Sequence, residues 1–242
     1  MNFYDNTPFK FGFTSRSQII EEMHPYLKKV IRDAKNRMIA DIGCGCGRNL
    51  IYASRYSDSL IGIDLSKESL AFAESLGLSD NLELIYGDNL DIPLASNHID
   101  LVISDGVIHH TGDTYLAFRE CIRVLKPGGT LYLALYKKYR YYTLLYKSLG
   151  YMLRYLNKTR FGSFIMDNTF VLLHFLLYRV FRKRKLNIEE TRNIFYDYFL
   201  TPIATFHSKN DVQNWIDENN CFLDAYDRTS GNCHVFIIKK DE

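Results

Sequence analysis

The sequence predicts an α/β fold built on a largely parallel sheet, from three observations. Short apolar runs ending in an acid or a glycine recur between residues 37 and 136 and alternate with segments of helical spacing. That alternation places helices on both faces of a sheet. The run Asp41-Ile42-Gly43-Cys44-Gly45-Cys46-Gly47 follows an apolar stretch and precedes a helical one. At 242 residues the chain can bury a full core as one large domain, or a core with a small cap.

A strand that ends in a glycine-dense turn lets a ligand touch backbone, because no Cβ intervenes. The helix that follows points its free N–H groups at the same spot. This describes a nucleotide-type cofactor site. It is not the dinucleotide fingerprint G-x-G-x-x-G, whose third glycine would fall at Arg48, and this argues against a nicotinamide dehydrogenase. Leu60-Ile61-Gly62-Ile63-Asp64 reads as a second strand whose acid lies 23 residues beyond Asp41, placed to accept both hydroxyls of a ribose. Leu82 to Asp88 alternates as a third strand, and Asp100 to Asp105 is a fourth. Leu125-Lys126-Pro127-Gly128-Gly129-Thr130 makes a turn into a fifth, Leu131 to Tyr136. Every residue singled out so far falls at the carboxyl end of a strand, where such sheets bind ligands.

The acid before G-x-G-x-G, the Gly87-Asp88 pair, the segment "SDGVIHH" from Ser104 and the "LKPGG" turn together resemble the class I S-adenosylmethionine (SAM)-dependent methyltransferases. The likeness is to their small-molecule, methyltransferase type 11-like branch. It covers residues 37–136 and, less closely, 209–242. The resemblance implies a Rossmann-like seven-stranded sheet of order 3-2-1-4-5-7-6 with its last strand antiparallel. Residues 1–136 and 209–242 would form the core, and 137–208 a basic, aromatic helical cap inserted after strand five. It also implies SAM as cofactor and S-adenosylhomocysteine as product. Gly43 and Gly45 would admit the methionine half, Asp64 the ribose, and Asp88 with Asn89 the adenine edge. Asp41, Cys44, Leu65, Leu90, Ser104 and Asp105 complete the cofactor-binding candidates.

Methyl transfer from a sulfonium needs an aligned acceptor and, where required, a base. Related small-molecule enzymes often carry a histidine after strand four. His109 and His110 are the catalytic candidates here, with His110 preferred, and an orienting or capping role is the alternative for either. Further along, Tyr196 to Pro202 and Phe206-His207-Ser208 are similar to a "D-x-x-x-P … H" passage in a bacterial subgroup. Asp197, Tyr198 and His207 are therefore acceptor-site candidates, although Tyr198 and Phe206 also suit a plain core. Ser208 reads as an N-cap for a helix over 210–219 anchored by Trp215. Phe222–Asp227 and Val235–Lys240 read as a closing pair about the turn Gly231-Asn232.

Ahead of the core, Ile20, Met23, Leu27, Val30 or Ile31, and Ala34 keep helical spacing, with Pro25 starting or kinking a turn. In the resembled family such a helix closes over the cofactor; packing on the sheet is the alternative. Arg16, with Tyr4, Phe11 and Phe13 upstream, is a lid and substrate-site candidate.

The net charge is only +2, but it is unevenly spread. Residues 137–185 hold 12 Lys or Arg against the single acid Asp167, a local charge of +11, which leaves −9 on the rest. Such a split points to an acidic surface, substrate or polymer. Tyr141, Leu144, Leu145, Leu149, Met152, Leu153 and Leu156 line one helical face, and Phe170 to Tyr178 is apolar on all sides apart from His174. Neither stretch can span a bilayer. The readings are an ordinary lid, a peripheral membrane contact through 137–185, or a nucleic-acid platform, the last disfavoured by the leucine content and the lack of an RNA-binding motif.

Five cysteines do not suggest a disulfide framework, no His/Cys spacing suggests zinc, and Met1 to Gly12 has no apolar core of a secretory signal. The expectation is a cytoplasmic protein without metal, peripheral at the inner membrane surface if the cap binds lipid. Its expected activity is in-line methyl transfer to a small, amphiphilic or anionic acceptor. The rivals are an RNA or protein methyltransferase using the basic cap as platform and a non-catalytic SAM-binding module.

Overall fold

The structure, a computed structural model, describes residues 16–181 and 187–242. The 1–12 stretch with Tyr4 and Phe11, then Phe13, Thr14 and the basic run 182–185, lie outside them. Strands β1 (Ile39–Ile42), β2 (Leu60–Asp64), β3 (Leu82–Tyr86), β4 (Ile99–Asp105) and β5 (Leu125–Tyr136) pair in parallel. β6 (Cys221–Asp227) and β7 (Cys233–Lys240) complete one sheet of order β3-β2-β1-β4-β5-β7-β6, with β7 antiparallel to both neighbours. This is the sheet expected from the family resemblance.

Preceding and linking the strands are α1 (Arg16–Glu22), α2 (Pro25–Asp33), α3 (Arg48–Ala53), α4 (Lys67–Ser75) and α5 (Thr114–Val124). Their starts are chemically marked. Pro25 opens α2, the Ser66 hydroxyl accepts from the Ser69 N–H at α4, and the Asp113 carboxylate accepts from the Leu116 N–H at α5. The "LKPGG" segment is not a turn ahead of the strand but part of β5. Leu125 pairs with Ile99 and Thr130 with Leu101, so the intervening residues bulge out, with Gly128 at φ +71°.

The described residues divide into two compact units, one comprising 16–138 and 203–242, the other Tyr139–Pro202. The second holds α6 (Tyr141–Lys147), α7 (Leu149–Leu156), α8 (Arg160–Ile165), α9 (Val171–Phe181) and α10 (Ile188–Phe195), with π-helical turns at Met166–Phe170 and Tyr196–Leu200. It is narrower than the expected 137–208, for a physical reason at each end. The Lys137 ammonium is buried and donates to the carbonyls of Arg228, Thr229 and Gly231 at 2.6–2.8 Å, which ties it to the β6–β7 turn. Residues 205–207 bond to the sheet unit through Thr205, whose N–H donates to the His109 carbonyl, and through the His207 N–H, which donates to Tyr136.

The last helix, α11 (Lys209–Glu218), begins at Ser208 with a reciprocal capping box to Asp211. Trp215 is only partly buried; Val212 and Ile216 are the fully covered residues of that helix. Each face of the sheet carries its own core. Ala40, Ile42 and Ile63 pack with Phe118 of α5 and Ile216 of α11, whereas Ile39, Leu60 and Tyr132 pack with Leu27 and Ile31 of α2, Leu50 and Leu70. Strands buried on both faces read as continuous apolar runs. The helix α2 therefore packs on the sheet, the alternative weighed against closing over a ligand.

Candidate functional site

The glycine turn leaves β1 and is anchored to the end of β2, where the Gly43 and Cys44 N–H groups both donate to the Ile63 carbonyl at 2.7 and 2.9 Å. Gly43, Gly45 and Gly47 all take positive φ. Their reasons differ. A Cβ built on Gly43 would lie 2.2 Å from Cγ1 of Val107, so this glycine makes room for the loop after β4 rather than directly for a ligand. A Cβ on Gly45 meets nothing within 4 Å, nor does one on Gly106. Among the described residues, backbone at those two positions faces open space.

Asp64 braces the turn. Its carboxylate accepts from the Gly45 N–H and the Ser66 N–H, both at 2.8 Å. Asp41 is buried beneath, accepting from the Asn49 amide at 3.2 Å, while its other oxygen has no hydrogen-bond partner among the described residues. Burial pushes the Asp41 carboxyl up to about 7, against the Asn49 hydrogen bond and with further help from Asp105 and Asp64. Arg48, opening α3, stands 3.8 Å from Asp105. Among the described residues, the fully buried Ser104 hydroxyl has no partner, and the buried Asn89 amide oxygen is likewise unmatched. Asp88 is exposed and its carboxylate accepts from the Leu90 N–H at 2.9 Å, shaping the turn after β3. Leu65 and Leu90 are half-buried beside these acids. The Cys44 thiol is held well above its ordinary pKa, first by burial and then by Asp41 and Asp64, which keeps it inert.

After β4 comes a single 3₁₀ turn, Ile108–His110. Here the two candidate bases separate. His109 is fully buried, with its ring 3.8 Å from the Tyr136 ring and 4.3 Å from that of His110. Burial, then the neighbouring His110 and His207, hold its pKa well below the ordinary histidine value. Its burial thus favours the neutral form of the His109 ring. His110 is only partly covered, and its Nδ1 donates to the Ile203 carbonyl at 2.9 Å.

The acceptor-site candidates fall in different units of the chain. His207 belongs to the sheet unit, where Nε2 meets the Thr205 hydroxyl at 3.0 Å and the ring lies edge-on to Trp215. Burial drives its pKa down to about 4. Asp197 and Tyr198 lie in the second unit, where their carbonyls accept from the hydroxyls of Thr201 and Tyr142. The Arg16 guanidinium donates to the Leu76 carbonyl at 2.9 Å, just past the C-terminus of α4, at the opposite end of that helix from Asp64. Sequence reasoning missed Asn49, Val107 and Thr205, because each meets its partner across a turn or loop whose path periodicity does not reveal.

These features fit SAM, which carries a sulfonium and an ammonium. Buried oxygens of Asp41, Asn89 and Ser104 await polar partners, three carboxylates share one region, and backbone without Cβ opens beside them.

The fold and this glycine–acid cradle define a class of protein, and comparison with known proteins agrees. Residues 40–133 match a family model described as a methyltransferase domain. Residues 40–133 thus carry a methyltransferase domain, on a sheet whose fold is shared by solved SAM-dependent methyltransferases. Ajmaline N-methyltransferase from Rauvolfia serpentina is 34% identical over 104 residues, 41% of this chain and 36% of that protein. "Probable tRNA methyltransferase 9B" from Mus musculus is 33% identical over 132 residues, 53% and 27% of the two chains. The alignments thus span about a third of the curated relatives' length. Magnesium protoporphyrin IX methyltransferase from Synechocystis, solved with bound S-adenosylhomocysteine, shares the fold at TM-score 0.56 and 13% identity, over 100% of this chain and 89% of that one.

Proposed function

We propose that the protein transfers the methyl group of SAM to a small acceptor of amphiphilic or anionic character. The observation that carries this reading is the strand-end cradle of Asp41, Gly45, Asp64 and Asp105 with His110 following on the same edge of the sheet. Asp64 would take the ribose hydroxyls in addition to its backbone donors, and Asp88, Asn89 and Leu90 the adenine edge. Asp41 would face the cationic methionine half. When bound, SAM supplies a methyl group on a sulfonium that departs as a neutral thioether.

The chain's own contribution to the chemistry is alignment and proton removal. A carbonyl only accepts, so the bond from His110 to Ile203 places the proton on Nδ1 and makes Nε2 the basic nitrogen of the neutral ring. Nε2 would take the acceptor's proton as the new bond to carbon forms. Support for an amphiphilic acceptor comes from the many exposed aromatic and leucine side chains of the second unit.

A second reading is favoured by the likeness to "Probable tRNA methyltransferase 9B" together with the +11 segment, namely methylation of an RNA. Methyl-labelled SAM added with purified protein to a cell extract separates the two. Label in the solvent-extractable fraction or in aqueous small molecules supports the first reading, and label in RNA supports the second.

Asp41 gives a pH prediction. The folded chain keeps this proton to about pH 7, whereas the unfolded carboxyl releases it near 3.8. Stability therefore falls as pH rises through that window, and a bound cation favours the carboxylate. SAM affinity measured calorimetrically should rise about tenfold between roughly pH 5.5 and 7.5. Asp41→Asn should flatten the dependence. A flat profile for the unaltered protein would detach Asp41 from the cofactor.

A further inference from the structure

Helices α7, α8 and α9 each bury one side within the second unit and leave the other unpartnered. In α9, Val171 is buried, and His174 and Phe175 are partly covered, with the His174 ring 5.7 Å from that of Phe195. The opposite stripe, Leu172, Leu173, Leu176, Leu177 and Val180, is exposed. Its spacing is that of one helical face. On α7, Leu153 is fully buried while Tyr151 and Tyr155 are 70% and 67% exposed. Phe161 and Phe164 of α8 are exposed at 73% and 64%. Soluble surfaces seldom show so many large apolar side chains on consecutive helices without a partner for them.

The charges beside these residues select the partner. Lys147, Lys158, Arg160 and Arg179 are exposed among them. Lys158 stands over the Tyr155 ring, and Arg179 over that of Phe175. The one acid between 137 and 185, Asp167, is neutralised by Arg192 at 2.9 Å. A second copy of this face would bring cations against cations. A lipid surface bearing negative headgroups meets both properties, with leucines and tyrosines entering the boundary and lysines and arginines meeting phosphates. No helix among the described residues is long and apolar enough to cross a membrane.

We propose that the second unit docks the protein on an anionic membrane surface through the exposed apolar faces of α7, α8 and α9. This is in-plane seating, and it holds whatever the acceptor is. The test is flotation of the full-length protein with phosphatidylcholine vesicles and with vesicles containing about a third phosphatidylglycerol. The unaltered protein should float with the anionic vesicles and only weakly with the neutral ones. The exposed pair L173Q/L177Q should keep its melting temperature and SAM affinity yet lose at least about tenfold in vesicle binding. Failure to float with either vesicle would overturn the proposal, as would equal flotation of the variant. A dimer abolished by the same substitutions would assign the face to a second copy instead, and tRNA outcompeting the vesicles would assign it to nucleic acid. SAM affinity, read on the same samples, reports separately on the cofactor site.

Discussion

Gly43→Ala should lower the melting temperature by about 4–20 °C, and Gly45→Ala, two residues away, by only about 2–8 °C. At Gly43 two penalties add. The new methyl would sit 2.2 Å from Cγ1 of Val107 and 2.8 Å from its Cγ2, and the backbone stands at φ +73°. Overpacking costs about 1–3 kcal/mol and the left-handed conformation about 1–2 kcal/mol. Gly45 has only the second penalty, at φ +51°, because nothing lies within 4 Å of its added carbon. The functional consequence runs the other way. Gly45→Ala should stay folded and lose at least about tenfold in SAM affinity, since its methyl fills the open side of the cradle. Thermal melts with calorimetry on both variants check the pair. Undiminished SAM affinity in Gly45→Ala would mean that the cofactor does not approach that backbone.

His110→Gln should reduce kcat by about 10²- to 10⁴-fold while leaving SAM affinity within about twofold, the signature of a lost proton acceptor. His109→Phe provides the contrast. That ring is fully buried against Tyr136, and its pKa is already depressed by burial, so a neutral aromatic of similar shape should keep kcat within about tenfold. Measured on the acceptor found by label transfer, the reverse order of effects would exchange the two roles. Equal, small effects would mean that the acceptor needs no base.

The sheet and its order were legible because four strand-end motifs stand in register along one stretch of sequence. Helix starts such as Ser208 were legible for a local reason, since a cap and its partner lie three residues apart. What escaped was non-local. Gly43 reads as a ligand glycine until Val107, on another strand's loop, is seen filling the space beside it. Lys137 counts toward a basic surface in the sequence, yet its ammonium is buried among the carbonyls of a turn 91–94 residues later. Nothing in the sequence marks the bond of the Arg16 guanidinium to the Leu76 carbonyl, 60 residues away. The pair His109-His110 carries no periodic signal, and only the 3₁₀ turn after β4 turns one ring inward and the other toward Ile203.

The central claim is that SAM lies on the strand ends with Asp64 at its ribose. The most direct measurement is calorimetric titration of SAM into the unaltered protein and into Asp64→Ala, with a thermal melt of each to confirm folding. Losing a charged hydrogen-bond acceptor costs about 1.5–3 kcal/mol. The substitution should therefore weaken SAM binding by about 10- to 150-fold, more so because the Gly45 and Ser66 N–H groups lose their brace. Equal affinity in a folded Asp64→Ala protein would contradict the placement.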